Sequence, residues 1–221
     1  MNLEPLFNKY ECDKSKKHMY HIFYNQLFER LWEPREEHRE GPLRILEIGV
    51  FAGHSALAFM EAMPGIEYVG VDIFERLPIA AIDKKLKGAF PNTSIELYKC
   101  DSMNLGKVRQ TMSKKHKFDV IIDDGAHWPK ANLDTMKNFW PYLAEGGTYV
   151  VEDVWPFHRM TTAEMQHPWL LKHPDRYTWF QWSHYDTHVE SLCREGCVLN
   201  EHDFRKMTGE PDSYIHEIIK A

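Results

Sequence analysis

Short hydrophobic runs alternate with amphipathic stretches through most of this chain. Five runs have the length and composition of buried strands, and they lie at residues 43–49, 67–72, 95–99, 118–123 and 148–152. Residues with helical periodicity lie between these runs, notably at 55–63 and 133–143. Because strands separated by helices form parallel sheets with right-handed crossovers, the pattern predicts an α/β, doubly wound, Rossmann-like domain.

An N-terminal segment precedes this domain. Ser15 can cap a helix there, and the apolar residues of that helix recur every three or four positions: Tyr20, Phe23, Leu27 and Leu31. A charged run at residues 33–40, closed by Gly41 and Pro42, is typical of a solvated linker. We therefore expect two parts, a helical segment with its linker at 1–41 that packs on the cofactor site, and the main domain at 42–221.

Composition narrows the class of protein. The 221 residues include 43% hydrophobic residues, which suits a globular domain with a sizeable core. The formal net charge of −6 argues against a nucleic-acid-binding surface. No run approaches the roughly 18 apolar residues of a membrane span, and the N-terminus lacks the apolar core of a signal peptide. The four cysteines complete no zinc motif, so we expect free thiols in a reducing cytoplasm.

The ends of the first three predicted strands carry glycines and acids. Ligands of doubly wound sheets bind outside the carboxyl ends of the strands, so these residues are candidates for a binding pocket. Gly49 and Gly53 permit a tight turn and close approach of a ligand to the backbone. Asp72 ends the second strand, where an acid would accept two ribose hydroxyls. Asp101 follows the third strand, where a carboxylate could accept from an adenine amino group.

The turn after the first strand argues against a dinucleotide. Phe51 occupies the position of the second glycine of the G-x-G-x-x-G fingerprint, the glycine that lets the backbone meet a pyrophosphate. Glu47, just before the turn, would repel a phosphate but tolerate a cationic or zwitterionic ligand. S-adenosylmethionine (SAM) combines an adenosine with a sulfonium and an amino-acid group, so it meets these conditions.

Carboxylates also collect at the ends of the fourth and fifth predicted strands. Asp124 follows the fourth strand, and Glu152 and Asp153 end the fifth. These strands are expected to be neighbours, about 4.8 Å apart, so their terminal carboxylates can converge. A trianionic cluster would suffer severe like-charge repulsion, which a hard divalent cation relieves. Mg²⁺ is the first expectation, with Mn²⁺ and Ca²⁺ left open.

His127 lies three residues after Asp124, within reach of the rim of the predicted metal site. Its imidazole titrates near neutral pH, which suits a general base. Metal coordination acidifies an alcohol, so His127 could take the hydroxyl proton and leave the oxygen to attack the sulfonium methyl group in line. Vicinal oxygens chelate a cation well, which makes a sugar or a catechol the expected acceptor.

Together, the strand-end motifs resemble those of class I SAM-dependent methyltransferases. They comprise residues 46–55, Asp72, Asp101 with Ser102, FDVIIDDGAH at 118–127 and GGTYVVED at 146–153. More narrowly, the pair DDGAH and VED is similar to the metal-dependent sugar O-methyltransferases of the mycinamicin and macrocin type. The N-terminal KYECDK at 9–14, followed by His18 and Tyr20, is also similar to a segment of that family. Departures from the family pattern lie beside the expected site, at Glu11, Cys12, Ala52 and Ala126.

This resemblance implies a Mg²⁺-dependent SAM O-methyltransferase whose seven-stranded sheet has an antiparallel C-terminal strand. It assigns the metal to three carboxylates, Asp124, Glu152 and Asp153. His127 becomes the general base, and Asp124 takes part in catalysis through the metal. The residues expected to bind SAM are Glu47, Gly49, Phe51, Gly53, Ser55, Asp72, Asp101, Ser102 and Asp123.

Beyond residue 153 the pattern is less regular. Residues 177–182 and 196–199 are predicted as antiparallel closing strands, and Asp212 as the cap of a final helix that ends at Lys220. An aromatic-rich segment could stack on sugar faces or equally form a core or lid: Trp155, Phe157, His158, Trp169, Trp179 and Trp182.

The predicted function is therefore methyl transfer from SAM to a hydroxyl of a sugar, in a glycan or glycoside, inside the cytoplasm. Homo-oligomerisation is left open, and neither a nucleic acid nor a membrane is expected as a partner. Two alternatives remain: a catechol-type enzyme acting on a small phenol, and a non-catalytic SAM-binding accessory domain. A redox enzyme is disfavoured because Phe51 replaces the required glycine.

Overall fold

The computed structural model describes residues 1–38, 41–113 and 115–221. Its strands, in chain order, are β1 (Arg44–Ile48), β2 (Glu67–Asp72), β3 (Ser94–Lys99), β4 (Phe118–Asp123), β5 (Leu143–Val151), β6 (Val198–Asp203) and β7 (Tyr214–Ile219). Its helices are α1 (Glu4–Lys9), α2 (His21–Leu31), α3 (Glu33–His38), α4 (His54–Ala62), α5 (Ile79–Ala89), α6 (Leu105–Met112), α7 (Pro129–Phe139), α8 (Pro168–Lys172), α9 (Trp179–Arg194) and α10 (Arg205–Thr208). Short 3-10 turns lie at Trp140–Tyr142, Phe157–Arg159 and Glu164–Gln166.

The strands form one seven-stranded sheet in the order β3-β2-β1-β4-β5-β7-β6. Strands β1 to β5 pair in parallel, whereas β7 is antiparallel to both β5 and β6. The predicted doubly wound α/β fold with an antiparallel C-terminal strand is confirmed. Because β1 and β4 are neighbours at the point where the strand order reverses, the loops that follow them meet above the centre of the sheet.

Most of the predicted central elements agree with the structure to within a residue or two. The bounds of β2 and β4 are those predicted, β1 is shorter by one residue at each end, and β3 begins one residue earlier. The predicted helix at 133–143 is shifted, because α7 begins at Pro129 and ends at Phe139. Proline suits the first turn of a helix, where its missing N–H is not needed. Strand β5 then begins at Leu143, five residues before the predicted start.

Two predictions for the C-terminal region are wrong. Residues 177–182 do not form a strand, because the side chain of Thr178 caps α9 by accepting from the Gln181 N–H at 3.1 Å. The final helix predicted after Asp212 is the strand β7. This strand lies between β5 and β6 and is buried on both faces, so its sequence YIHEII lacks the alternation of a half-exposed strand. The strand predicted at 196–199 is β6, which begins at Val198.

The N-terminal prediction needs two corrections. Ser15 does not cap α2, which begins six residues later; its hydroxyl instead donates to Asn8 Oδ1 at 3.0 Å. Residues 33–38 form the helix α3 rather than a linker, while residues 39 and 40 of the predicted linker lie outside the described residues. Glu33 and Pro34 in the first turn suit a helix start, since an acid there favours the helix dipole.

Aromatic residues of α1 and α2 share one core with the helix after β1. The rings of Phe7, Tyr24 and Phe28 all pack on Phe59 of α4, with centroid distances of 5.8, 5.3 and 5.3 Å. These ring contacts hold the N-terminal segment against α4, the helix that follows β1. The division of the chain at residue 41 stays a prediction. Among the described helices, none is long and apolar enough to cross a membrane.

Candidate active site

The loop after β1 is built on a close approach to the loop after β4. Gly49 has a φ of +91°, and a Cβ placed on it would lie 2.0 Å from the carbonyl oxygen of Asp124. The backbone N–H of Asp124 donates to the carbonyl of Ile48 at 2.9 Å. Glycine is therefore required at position 49 both for its conformation and for the space it leaves.

Asp72 ties the same loop to the end of β2. Its carboxylate accepts from the backbone N–H of Phe51 at 2.9 Å and from that of Phe74 at 2.7 Å. Phe51 has a φ of +46° and presents a half-exposed ring at the pocket mouth. Each carboxylate oxygen that accepts one N–H keeps a second lone pair, so Asp72 can still accept hydroxyl groups from a ligand.

Glu47 lies beneath this loop rather than on its surface. It is fully buried, and its two oxygens accept from the hydroxyls of Ser55 and Tyr68, each at 2.5 Å. Burial raises the pKa of Glu47. Gly53, with a φ of +71°, begins α4 and places Ser55 over Glu47. Glu47 and Ser55 are thus hydrogen-bonded to each other in the interior. Phe51 and Asp72, in contrast, face outward.

The remaining predicted SAM residues lie at the ends of β3 and β4. Asp101 is exposed and accepts from the backbone N–H of Met103 at 3.0 Å. The Ser102 hydroxyl is 2.9 Å from the hydroxyl of Thr135 in α7. Asp123 is buried, and its Oδ2 has no hydrogen-bond partner within the described part of the chain. Burial raises the pKa of Asp123 to about 7.

Asp124, His127 and Asp153 converge at the ends of β4 and β5. Each offers one ligand atom, and these atoms all lie within 4.8 Å of one another. The Nε2 of His127 is 3.7 Å from Asp124 Oδ1, and its Nδ1 is 3.9 Å from Asp153 Oδ2. Burial alone would lower the pKa of His127, but the negative charges of Asp153 and Asp124 raise it. The carboxylate oxygens are the hard donors that a divalent cation such as Mg²⁺ prefers, and His127 lies beside them.

Backbone strain accompanies this cluster. His127 has a φ of +56° and Asp153 a φ of +53°, although neither is a glycine. Left-handed conformations of such residues cost about 1–3 kcal/mol each and persist only where the surrounding structure enforces them. The strain turns the two side chains toward a common point above the sheet.

Glu152, the third predicted metal ligand, is buried beside the cluster. Its Oε1 accepts from the hydroxyl of Tyr24, and its Oε2 lies 2.5 Å from the Nζ of Lys14. The same Lys14 Nζ lies 2.5 Å from Oδ2 of Asp124. Burial raises the pKa of Glu152, while Lys14 acts in the opposite direction.

Four N-terminal residues contact the acidic cluster, and no role was predicted for any of them. Lys14 and Tyr24 bind Glu152, while the Tyr20 hydroxyl donates to Asp153 Oδ1 at 2.7 Å. The Nδ1 of His18 is 3.6 Å from the same oxygen. Three of the four, Lys14, His18 and Tyr20, stand in the N-terminal segment already noted for its family resemblance. The sequence does contain one indication of these contacts: side chains with polar groups recur at 14, 18, 20 and 24 in a segment that is otherwise apolar on one face.

The aromatic-rich segment after β5 lies next to the site. The ring of Trp155, two residues after Asp153, packs on Tyr177 at a centroid distance of 5.6 Å. The hydroxyl of Tyr177 accepts from the indole N–H of Trp169 at 2.9 Å. Within the predicted set, Trp155, Phe157 and Trp182 are buried, whereas Trp169 and Trp179 are exposed. His158 stacks on Trp182. The buried members are core, so only the exposed ones could meet an acceptor.

Residues 46–154 match a family model described as a methyltransferase domain. A tetracenomycin-C 3'-O-methyltransferase of Streptomyces olivaceus, acting on a methoxyrhamnosyl compound by its name, is 26% identical over 145 residues. The match covers 62% of this chain and 33% of that protein. Demethylmacrocin O-methyltransferase of Streptomyces fradiae is 27% identical over 119 residues, covering 54% of this chain and 29% of that protein. The chain thus spans about a third of the length of these relatives.

Solved structures agree on the fold. MycE methyltransferase from the mycinamycin biosynthetic pathway, in complex with Mg and SAH, has a TM-score of 0.67 at 18% identity, covering all of this chain and 55% of that chain. A putative caffeoyl-CoA O-methyltransferase from Staphylococcus aureus has a TM-score of 0.57 at 13% identity, covering 100% of this chain and 99% of that chain. At these identities the likeness establishes the fold and not the substrate.

Proposed function

We propose that this chain, which carries a methyltransferase domain at residues 46–154 and has the fold of the SAM-dependent methyltransferases, moves the methyl group of SAM to a hydroxyl of a sugar. The observation that carries the proposal is the convergence of Asp124, His127 and Asp153 at the ends of neighbouring strands. The curated relatives are named O-methyltransferases, and two of their names print a sugar group, a rhamnosyl and an olivosyl. We extend that acceptor class to this chain as a glycan or glycoside.

For the methyl donor, we propose a pocket over the loops that follow β1, β2 and β3. Asp72 is placed to accept the ribose hydroxyls, and Asp101 to accept from the adenine amino group. Gly49 and Gly53 let the backbone approach the donor, and Phe51, Ser102 and Asp123 line the pocket. We assign Glu47 and Ser55 to the floor of the pocket, because their polar groups are bonded to each other.

For the acceptor, Asp124 and Asp153 would hold a divalent cation. Glu152, whose oxygens bind Lys14 and Tyr24, would be the third carboxylate beside it. A bound Mg²⁺ would acidify the acceptor hydroxyl and hold a vicinal pair of oxygens in a fixed orientation. His127 stands at the rim and takes the hydroxyl proton, and the acceptor oxygen then bonds to the methyl carbon in line. The bond from that carbon to the sulfonium sulfur breaks, its electron pair stays on the sulfur, and S-adenosylhomocysteine leaves. The carboxylates on either side of His127 stabilise the imidazolium that results.

Removal of divalent metal tests this proposal directly. We expect methyl transfer to a panel of glycans, followed by mass spectrometry as a gain of one methylene unit, to fall roughly 10²-fold or more in EDTA and to recover with Mg²⁺. Exchange of Mg²⁺ for Mn²⁺ or Ca²⁺ would identify the preferred ion. Turnover that is unchanged in EDTA would exclude the metal role. Cytoplasmic location stays a prediction from the sequence.

Substitution of Asp72 tests the donor pocket. We expect Asp72→Ala to weaken SAM binding roughly 10- to 100-fold, since a carboxylate that accepts two ligand hydroxyls contributes about 1.5–3 kcal/mol. Isothermal titration calorimetry with SAM measures the change. Asp83→Ala is the matched control, because Asp83 lies on α5 and pairs with Lys87 at the surface. Equal SAM affinity in both variants would remove Asp72 from the pocket.

A small phenol is the second candidate acceptor. Catechols and sugar diols offer the same vicinal oxygens, so the acceptor panel has to contain both. SAM binding without transfer to any member of the panel, with Mg²⁺ present, would favour a non-catalytic accessory domain instead.

A further inference from the structure

The N-terminal segment contributes a cation to the acidic cluster. We propose that Lys14 is a resident counter-ion of this cluster, fixed between Asp124 and Glu152, and that it sets how strongly the site depends on a divalent metal. The inference rests on the proposed function, since it concerns the same carboxylates. It adds a residue from outside the matched methyltransferase domain, which begins at residue 46.

The contacts of Lys14 are those of a fixed ion pair. Its ammonium lies 2.5 Å from Asp124 Oδ2 and 2.5 Å from Glu152 Oε2, and the residue is only 2% exposed. Its backbone is held as well, because its carbonyl accepts from the N–H of His21 at the start of α2. Because both its backbone and its ammonium group are held, Lys14 is a fixed part of the fold and not a mobile surface side chain.

The charge of the cluster explains why such a cation is needed. When ionised, Asp124, Glu152 and Asp153 carry three negative charges, and Glu152 is buried while Asp124 and Asp153 are partly buried. The hydroxyls of Tyr20 and Tyr24 donate to this cluster without adding charge. Lys14 compensates one of these charges, and the imidazoles of His18 and His127, 3.6 and 3.9 Å from Asp153, are the other groups that can do so. The cluster is therefore partly neutralised before any metal binds and is still suited to bind one.

Lys14 binds one oxygen of Asp124 and one of Glu152, and the second oxygen of each carboxylate faces a different partner. It binds Oδ2 of Asp124, which leaves Oδ1 facing His127 at 3.7 Å. On Glu152 it binds Oε2, while Oε1 receives the Tyr24 hydroxyl. Lys14 is thus a positioning residue, because it binds the carboxylates and is itself almost fully buried.

Thermal unfolding of the whole chain, in EDTA and in Mg²⁺ alone, tests the proposal. We expect Lys14→Met to lower Tm in EDTA by about 10 °C, because it leaves buried carboxylates without their counter-ion. Mg²⁺ should then raise the Tm of Lys14→Met by more than it raises that of the unmodified chain, because the ion relieves a larger repulsion. The matched control is Lys9→Met, a half-exposed N-terminal lysine that pairs with Glu61 at the surface. It should change neither value.

Two further variants keep the proposal testable if Lys14→Met does not fold. Lys14→Arg retains the charge and should retain most of the Tm in EDTA. The double variant Lys14→Met with Glu152→Gln removes one charge of each sign and should recover part of the Tm lost in Lys14→Met. An equal Mg²⁺-induced gain in Lys14→Met and the unmodified chain, or a double variant no more stable than Lys14→Met, would overturn the proposal. These readouts need no acceptor, so failure to methylate sugars is a separate result.

Discussion

Replacing His127 with alanine is expected to lower the rate of methyl transfer to a sugar hydroxyl by about 10²–10⁴-fold. An alcohol holds its proton tightly, and His127, the proposed base, lies between Asp124 and Asp153, 3.7 and 3.9 Å from their oxygens. SAM affinity should be unchanged, because the proposed donor pocket lies on the loops after β1 to β3. Steady-state kinetics with saturating Mg²⁺, together with SAM titration, measures both quantities.

The control for this substitution is His184→Ala. His184 lies on the exposed face of α9, where its ring packs on Phe180, so its loss should leave the rate unchanged. The acceptor provides a second comparison, since phenols ionise more readily than sugar alcohols. A His127→Ala enzyme that keeps its rate on phenols but not on sugars supports the base role. Equal loss on both acceptors would point instead to disruption of the metal cluster, and no loss on sugars would contradict the assignment.

The sequence was sufficient to predict the parallel part of the sheet and the residues at its strand ends. Strands β2 (EYVGVD) and β4 (FDVIID) each contain a short uncharged run, YVGV and VII, between two acids, and their ends could be located to the residue. The carboxyl ends of neighbouring parallel strands meet at one edge, so the convergence of Asp124 with Asp153 followed from strand order alone. The elements that failed were those whose context depends on distant parts of the chain.

Strand β7 is the plainest of these failures. Residues 214–219 form a strand because they pair with β5 on one side and with β6 on the other. The sequence of these six residues does not show that such partners exist. The aromatic run at 177–182 was equally ambiguous. Thr178 caps a helix there, and the rings of Trp182 and Tyr185 are buried when α9 packs on α7, but the sequence does not show this packing.

The candidate site was predicted at its strand ends and missed at its N-terminal side. Carboxylates after strands carry a local signal, but Lys14 lies 110 residues from Asp124 and 138 from Glu152 along the chain. No periodicity connects such residues. The pattern of apolar residues placed Tyr20 on an apolar helix face, and the family resemblance gave it no role, although its hydroxyl reaches Asp153. A tyrosine presents an apolar body and a polar tip, so pattern analysis registers the first and misses the second.

Replacing Gly49 with alanine is expected to destabilise the fold by about 4 kcal/mol, enough to lower Tm by roughly 10 °C in a chain of this length. The new Cβ would lie 2.0 Å from the carbonyl oxygen of Asp124 and 2.6 Å from its carbonyl carbon, so backbone has to move. The residue that moves carries a proposed metal ligand, and a misplacement of about 1 Å can cost some 10²-fold in rate. Thermal unfolding and methyl-transfer assays should therefore both respond.

Gly65→Ala separates this clash from the cost of backbone conformation. Gly65 has a φ of +86°, close to the +91° of Gly49, but no atom lies within 4 Å of a Cβ built on it. It should lose only the conformational cost, about 1 kcal/mol, and keep its catalytic rate. The difference between the two variants measures how tightly the loops after β1 and β4 pack. If Gly49→Ala were no less stable than Gly65→Ala, these loops would have room to separate, and the donor pocket and the metal cluster would not be held in one rigid frame.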